Sequence, residues 1–298
     1  MSSTPRPKNT PGELNNTKNM QVFELHFNPQ NKDDRIIGSF CHQPANIYEK
    51  RLGNLYMAGE LNHVLPQNAR FLNNLAETIK KEYYSAGLKK SCEQSLQDSL
   101  KKANEFLDGQ IQKGNVSFLG NLNFSALSFN DFVLNFTKIG DMKILLVRNS
   151  EFLDISQNLE SQEAETYPLK VFGSIVTGKL SQNDKVIVLN KDVFSALSQE
   201  KGFLDRLGQI SDAKGLKEVL KIKKQALAEV SGACLLLLVN EESTSKQILT
   251  FHQDVPKFSF RQAFINPFYK LKPTVFKKKL FLVLILILVL SAGFFIFR

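Results

Sequence analysis

The segment that most restricts what this 298-residue chain can fold into lies at its end. Leu280 to Phe297 reads LFLVLILILVLSAGFFIF, 18 residues with no charge and one hydroxyl, Ser291. At about 1.5 Å per residue a helix of that length is roughly 27 Å long, close to a bilayer core of ~30 Å. A helix of a soluble core would show a polar face somewhere along its length, and this run has none. It therefore predicts one transmembrane helix over 280–297. Lys277, Lys278 and Lys279 stand directly before it. By the positive-inside rule they put the preceding domain in the cytoplasm. Arg298 can snorkel to the far interface. Residues 1–19 hold no apolar stretch, so no secretory signal is expected, and their Pro, Asn, Ser and Thr content predicts a disordered tail. The expectation is a tail-anchored, single-pass membrane protein held in the lipid bilayer by its last helix.

The rest of the chain reads as globular. Hydrophobic residues make up 43% and charged residues 22%, enough apolar matter for a core over residues 20–251. The net charge is +9, but eight basic residues and no acidic one fall between Lys257 and Arg298. The excess thus belongs to a basic juxtamembrane linker, 252–279, and no nucleic-acid partner is implied. Cys41, Cys92 and Cys234 are odd in number and far apart, which excludes a disulfide framework and zinc-ligand spacing. Cys41 and His42 are neighbours on a strand pattern, so their side chains point to opposite faces and make no dyad. Cys234, in a Leu-rich run, reads as core packing. Lys221, Lys223 and Lys224 read as a solvated helix face. No Gly-rich phosphate loop is present, because Gly173 and Gly178 lack the Lys-Ser/Thr that would follow.

Periodicity places the elements. Val22–Phe27, Arg35–His42 and Gly53–Ala58 alternate as strands. Asn68–Ser85 and Cys92–Gln112 carry apolar residues at three-to-four spacing and predict two antiparallel helices. Strands follow at Val116–Phe129, Phe132–Ile139, Met142–Arg148 and Glu151–Ile155, separated by the turn pairs Asn130-Asp131, Gly140-Asp141 and Asn149-Ser150. This reads as an antiparallel meander. Val171–Val176 and Lys185–Leu189 add strands, and Val193–Leu207 and Ala213–Val230 add helices. Ala233–Val239 is a buried central strand, and Gln247–Phe251 is the last. The order predicts an α+β fold, two packed antiparallel β-sheets flanked by helices.

Four strings in this order resemble the metal-dependent protein phosphatases of the 2C type (the PPM family). Lys138 to Asn149, KIGDMKILLVRN, resembles the family's strand, Gly-Asp turn, strand. Leu180 to Val193, LSQNDKVIVLNKDV, resembles "L-x-x-G-D-x-L-L-L-C-S-D-G-L". Leu55 to His63, LYMAGELNH, resembles "F-x-V-x-D-G-x-G-G-H", and Ser231 to Leu237, SGACLLL, resembles "D-N-x-T-V-V-V". The strings span about residues 22 to 240. The resemblance implies an α-β-β-α sandwich. It also implies two divalent ions, manganese or magnesium, held by aspartates, which activate water for phosphoester hydrolysis.

This sequence departs from that pattern where the ligands fall. The "D-G" aspartate aligns with Ala58, although Gly59 and His63 keep the register. The "S-D-G" aspartate aligns with Lys191, with Asp192 at the glycine, and the final "D-N" with Ser231 and Gly232. The N-terminal acidic motif aligns near Pro44-Ala45-Asn46, where no carboxylate occurs. Ala58, Gly59, Lys191, Asp192, Ser231 and Gly232 thus mark a degenerate site, with no metal and no catalytic residue expected. A bulge that brings in Asp192, or Glu60 reaching toward the place emptied at Ala58, would keep an active metal-dependent Ser/Thr phosphatase open as the alternative. Asp141 reads as a turn former bonded to its own backbone. The leading expectation is a pseudophosphatase domain at the membrane that binds a cytoplasmic protein in signalling. In it the Lys191 ammonium takes the place of a metal ion beside Glu60 and Asp192, or attracts a phosphate without hydrolysing it.

Overall fold

Strand-period and helix-period stretches become the elements of a four-layer domain. The computed structural model describes residues 20–27, 34–85, 87, 89–157, 159, 165–166, 169–199, 202–222, 227, 230–239 and 248–252. The expected tail 1–19, nearly all of the linker 252–279, and the span 280–297 lie outside the described residues. Among the described residues no helix is long and apolar enough to cross a membrane.

The elements run β1 (Met20–Phe27), β2 (Arg35–His42), α1 (Ile47–Lys50), β3 (Asn54–Asn62), a 3-10 turn at Pro66–Asn68, α2 (Phe71–Ser85) and α3 (Cys92–Gln112). β4 (Leu122–Asn130), β5 (Val133–Ile139), β6 (Lys143–Arg148), β7 (Glu151–Asp154), β8 (Glu165–Thr166), β9 (Leu169–Lys170), β10 (Val176–Lys179) and β11 (Lys185–Leu189) follow. The chain continues through α4 (Lys191–Gln199), α5 (Phe203–Gln209), α6 (Ala213–Ile222), β12 (Gly232–Val239) and β13 (Ile248–His252).

One sheet has the order β13-β1-β12-β11-β6-β7 and the other β10-β5-β4-β3-β2, with a small β8-β9 pair apart. All neighbours are antiparallel except β1 and β13, which are parallel. The predicted architecture holds with that one edge exception. Every residue of β12 is buried, as a central strand requires. One core lies between the sheets, where Tyr56, Ala58, Ile144, Val186, Val188, Leu235 and Leu237 meet. A second joins α2 and α3 to the β3-β4 face through Leu72, Leu75, Ile79, Leu96 and Leu107. A third joins α4, α5 and α6 to the opposite sheet through Val193, Leu197, Leu207 and Leu216.

Several expectations are corrected. The meander is not one sheet: β4 and β5 lie in one and β6 and β7 in the other. The crossing occurs at Gly140, whose φ of +64° suits glycine and whose added Cβ would collide with the Asn123 side chain. Residues 116–121 are turn rather than strand, because Asn68 ties to Asn115 and Ser117 through its side chain. Val171 and Phe172 are not strand either. Their N–H groups donate to Asn104 Oδ1 on α3, which takes the backbone bonds a sheet neighbour would supply. The single helix expected over Val193–Leu207 is two, broken at Gly202 with φ +71°.

Candidate functional site

Four element ends meet at one end of the layer between the sheets. β2 begins at Arg35, paired with Asn62 near the end of β3. Ala58 and Glu60 lie two apart on β3 and so face the same way, into that layer. β11 ends at Leu189 and hands over through Asn190 to α4. Ser231 stands immediately before β12. Lys191 and Ser231 stand at the starts of α4 and β12, whereas Ala58 lies in the middle of β3.

The bonds there are made by other side chains. Glu60 is 4% exposed, a buried carboxylate in the sandwich. Its Oε1 accepts from Asn123 Nδ2 at 2.9 Å and its Oε2 from Asn190 Nδ2 at 2.7 Å. Arg35 Nη1 lies 3.9 Å from Glu60 Oε2 and donates to Asp192 Oδ2 at 2.7 Å and to the Ser231 carbonyl at 3.2 Å. One guanidinium thus ties β2 to the start of α4 and the start of β12, across the two sheets. Burial pushes the Glu60 carboxyl above its ordinary range, and Arg35 and the Asn190 amide only partly oppose it.

The sequence-derived positions divide accordingly. Asp192 and Ser231 join the network through Arg35. Gly232 and Gly59 are packing positions: a Cβ on Gly232 would collide with the Asn190 amide, and one on Gly59 with the Phe124 ring. Ala58 is fully buried among the apolar residues between the sheets. Lys191 is a correction. Its ammonium reaches Asp141 Oδ2 at 3.1 Å on the surface, and the cation beside Glu60 and Asp192 is Arg35. Asp141 in turn spends its carboxylate on Lys191, not on its own backbone, while its N–H donates to Asn123 Oδ1. The alignment of the N-terminal acidic motif with Pro44-Ala45-Asn46 fails as well. Those residues follow His42, which pairs with Leu55 at the far end of the sheet, and Asn46 caps α1. Lys277, Lys278 and Lys279 lie outside the described residues.

Elsewhere the strings keep structural roles. Asp184, in the Asn183-Asp184 turn, accepts from Arg148 Nε and Nη2 at 3.0 and 2.6 Å and from the Ser181 N–H. Asn183 holds the left-handed φ of +66° in the place of the family's glycine. Cys234 is buried and its thiol is pushed up to about 12 by burial. A polar cluster absent from the sequence reading also lies between β1 and β2. Ser39 Oγ donates to Glu24 and stands 2.9 Å from His26 Nε2. The hydroxyl's one proton goes to the carboxylate, so the imidazole is not its base and the trio is not a nucleophilic triad.

The fold has neighbours among solved structures. The serine/threonine phosphatase PstP/Ppp of Mycobacterium tuberculosis is 12% identical, with 75% of this chain and 99% of that chain covered and a TM-score of 0.48. A structure of the PstP catalytic domain in complex with two manganese ions is 13% identical, with 74% and 98% covered and a TM-score of 0.49. The PP2C phosphatase domain and regulatory fragment of SpoIIE from Bacillus subtilis is 13% identical, with 76% and 65% covered and a TM-score of 0.49. These are the 2C-type phosphatases that the sequence strings resemble. No family model matches the chain, and no curated protein does.

The resemblance of the four strings implies a pair of divalent ions, and the described residues at the aligned positions do not supply its ligands. Ala58 offers no ligating atom, and Lys191 offers a cation. Among the described residues, Arg35 Nη1 bonds Asp192 at 2.7 Å and lies 3.9 Å from Glu60. Among the described residues no three His, Cys, Asp or Glu side chains gather as a ligand set.

Proposed function

We propose that this chain is a membrane-anchored, catalytically degenerate phosphatase-like domain, a cytoplasmic module that binds a protein partner in signalling instead of hydrolysing phosphoesters. The observation that carries the reading is the placement of Arg35 Nη1, 2.7 Å from Asp192 and 3.9 Å from Glu60. A divalent ion about 4 Å from that guanidinium would meet a repulsion of about 8 kcal/mol at an effective dielectric of 20. Hydrolysis in this fold needs a cation with an open position that lowers the pKa of bound water. A guanidinium has no such position and does not release its proton. Membrane attachment is supported by the apolar run 280–297 and the lysine triad before it.

The test is hydrolysis of a phosphothreonine peptide and of an aryl phosphate by the full chain in detergent micelles, with millimolar manganese or magnesium. The expected rate equals the protein-free background with either ion. Manganese-dependent turnover that Glu60→Gln abolishes would overturn the reading in favour of an active phosphatase with divergent ligands.

A further inference from the structure

The fold leaves one long sheet edge open. Among the described residues β2 pairs with β3 alone, and it closes one side of the five-stranded sheet. The other edge strands are short: β7 and β10 have four residues and β13 five, against eight in β2. Proteins blunt a long edge with lysine, proline or another charge, because its outward N–H and C=O groups are a template for a further strand. From Ile36 to His42 β2 carries no proline and no Lys, Arg, Asp or Glu. It is also fastened from within. Arg35 bonds Asp192 and the Ser231 carbonyl at one end of the strand, and Ser39 bonds Glu24 and His26 of β1 in its middle. Phe40 lays its ring over Gly38, so that an added Cβ there would stand 3.0 Å from the ring. The aromatic cover keeps the glycine from loosening the strand. An edge held in this way has little further freedom to lose on pairing.

The charges at its two ends say what fits it. At the His42 end a cleft of about 740 Å³ opens against α2, lined by His42, Lys80 and Lys81 among others. Lys81 is exposed and makes no ion pair among the described residues. The same holds for Asp34, which stands directly before β2 at its other end. We propose that β2 is a self-association edge: a second copy of this chain pairs its β2 antiparallel to the first, with Gly38 on the two-fold axis, and the two five-stranded sheets become one. An axis perpendicular to the sheet sets residues of the same face opposite one another. Ile36 then meets Phe40 of the other copy, Ile37 meets Ser39, and Arg35 meets Cys41, with no like charges opposed. One step further out, Asp34 comes opposite His42, beside Lys80 and Lys81 of the other copy. The axis repeats that match at the far end. An acid at one end of a strand and a cation at the other is the complementarity a two-fold pairing requires, and a partner of different sequence has no need of it.

Sedimentation equilibrium of the full chain in density-matched micelles, over a range of chain concentrations, tests this. The wild type should pass from one chain to two as concentration rises. Amide hydrogen exchange over residues 35–42 should slow with that passage, while exchange in β7 and β10 stays unchanged. Asp34→Lys and Lys81→Glu each set like charges against each other across the axis and should move association to higher concentration. Combined in one chain, they restore opposite charges and should bring association back toward the wild-type range. Both side chains are exposed, so each variant should keep the wild-type melting midpoint. A chain that is monomeric at every concentration overturns the proposal and leaves the edge to a different protein. A dimer whose 35–42 amides exchange as fast as the monomer's overturns it too, because the contact then lies elsewhere, as in the run 280–297. So does association that the single reversals leave unmoved or that the double variant does not restore. Slow exchange of 35–42 at monomeric mass also overturns it, since another part of the same chain then covers the edge.

Discussion

Glu60 is the residue on which the chemistry of this domain turns, because it is an acid kept inside a sandwich by one arginine and two amides. Its carboxyl titrates above its ordinary value, chiefly through burial. In the pH window between its unfolded and folded values, the native state therefore holds a proton that the unfolded chain has released. Stability then falls as pH rises through that window and levels off above it. Glu24 and Asp154 behave oppositely. Burial pushes both up, but hydrogen bonds outweigh it, from His26 and Ser39 to Glu24 and from Lys143 and Ser156 to Asp154. Their contribution is present above the unfolded value and lost as pH falls through the folded one. Glu60→Gln carries no proton to release, so the stability of wild type relative to this variant should decrease from acid toward neutral pH. Chemical denaturation of both proteins at several pH values measures it. A difference that grows with pH would show that Arg35 outweighs burial. The residue scale is also where the sequence was least legible. Arg35 and Asp192 are 157 positions apart, and what joins them is the stacking of two sheets. Asn190 and Asn123 carry no chemistry in a one-dimensional pattern, so nothing marked them as partners of a buried acid.

At the scale of elements the sequence was read more fully, and the successes and failures share a cause. α3 begins and ends where its periodicity did, at Cys92 and Gln112, because Ser91 and Gln94 form a capping box and Gly114, at φ +80°, stops it. β2 likewise matches its pattern, Arg35–His42. Errors arose where a side chain from elsewhere took the backbone bonds, as Asn104 does for Val171 and Phe172, or where a positive-φ glycine redirected the chain. The strings around Lys191 and Ser231 fall at the starts of α4 and β12, next to the network of Arg35, because register along β11 and β12 is set by local alternation. They could not show which side chains form that network. β12 gives the sharpest energetic expectation. Leu235 and Leu237 are fully buried in the layer between the sheets. Leu235→Ala should cost about 2–5 kcal/mol from lost transfer energy and the cavity left behind. Leu146, expected to be equally buried, is only partly so, because β6 pairs with the short edge strand β7. Leu146→Ala should therefore cost clearly less, and equal shifts in urea midpoint would contradict this placement of the two strands.

The whole molecule joins a domain that carries its own counter-charge to a segment with the length and composition of a single bilayer span. Residues 257–298 hold eight basic and no acidic side chains, and the last uncharged run begins directly after three lysines. A helix over 280–297 would bury 18 side chains in hydrocarbon, at about 0.8 kcal/mol for each CH₂ transferred from water. That gain exceeds what any surface charge pair of the domain could offer to a membrane, since exposed pairs contribute about 0–1 kcal/mol. Attachment should therefore depend on the run alone. Deleting Phe276 to Arg298 should move the protein from the membrane pellet to the supernatant, and replacing Lys277, Lys278 and Lys279 by neutral residues should leave it in the pellet. The lysines should matter for orientation instead. In sealed vesicles with the cytoplasmic face outward, added protease should digest the domain of the wild type. The lysine-free variant should show a protected fraction. A deletion variant that stays in the pellet through an alkaline carbonate wash would place the membrane contact in the domain itself.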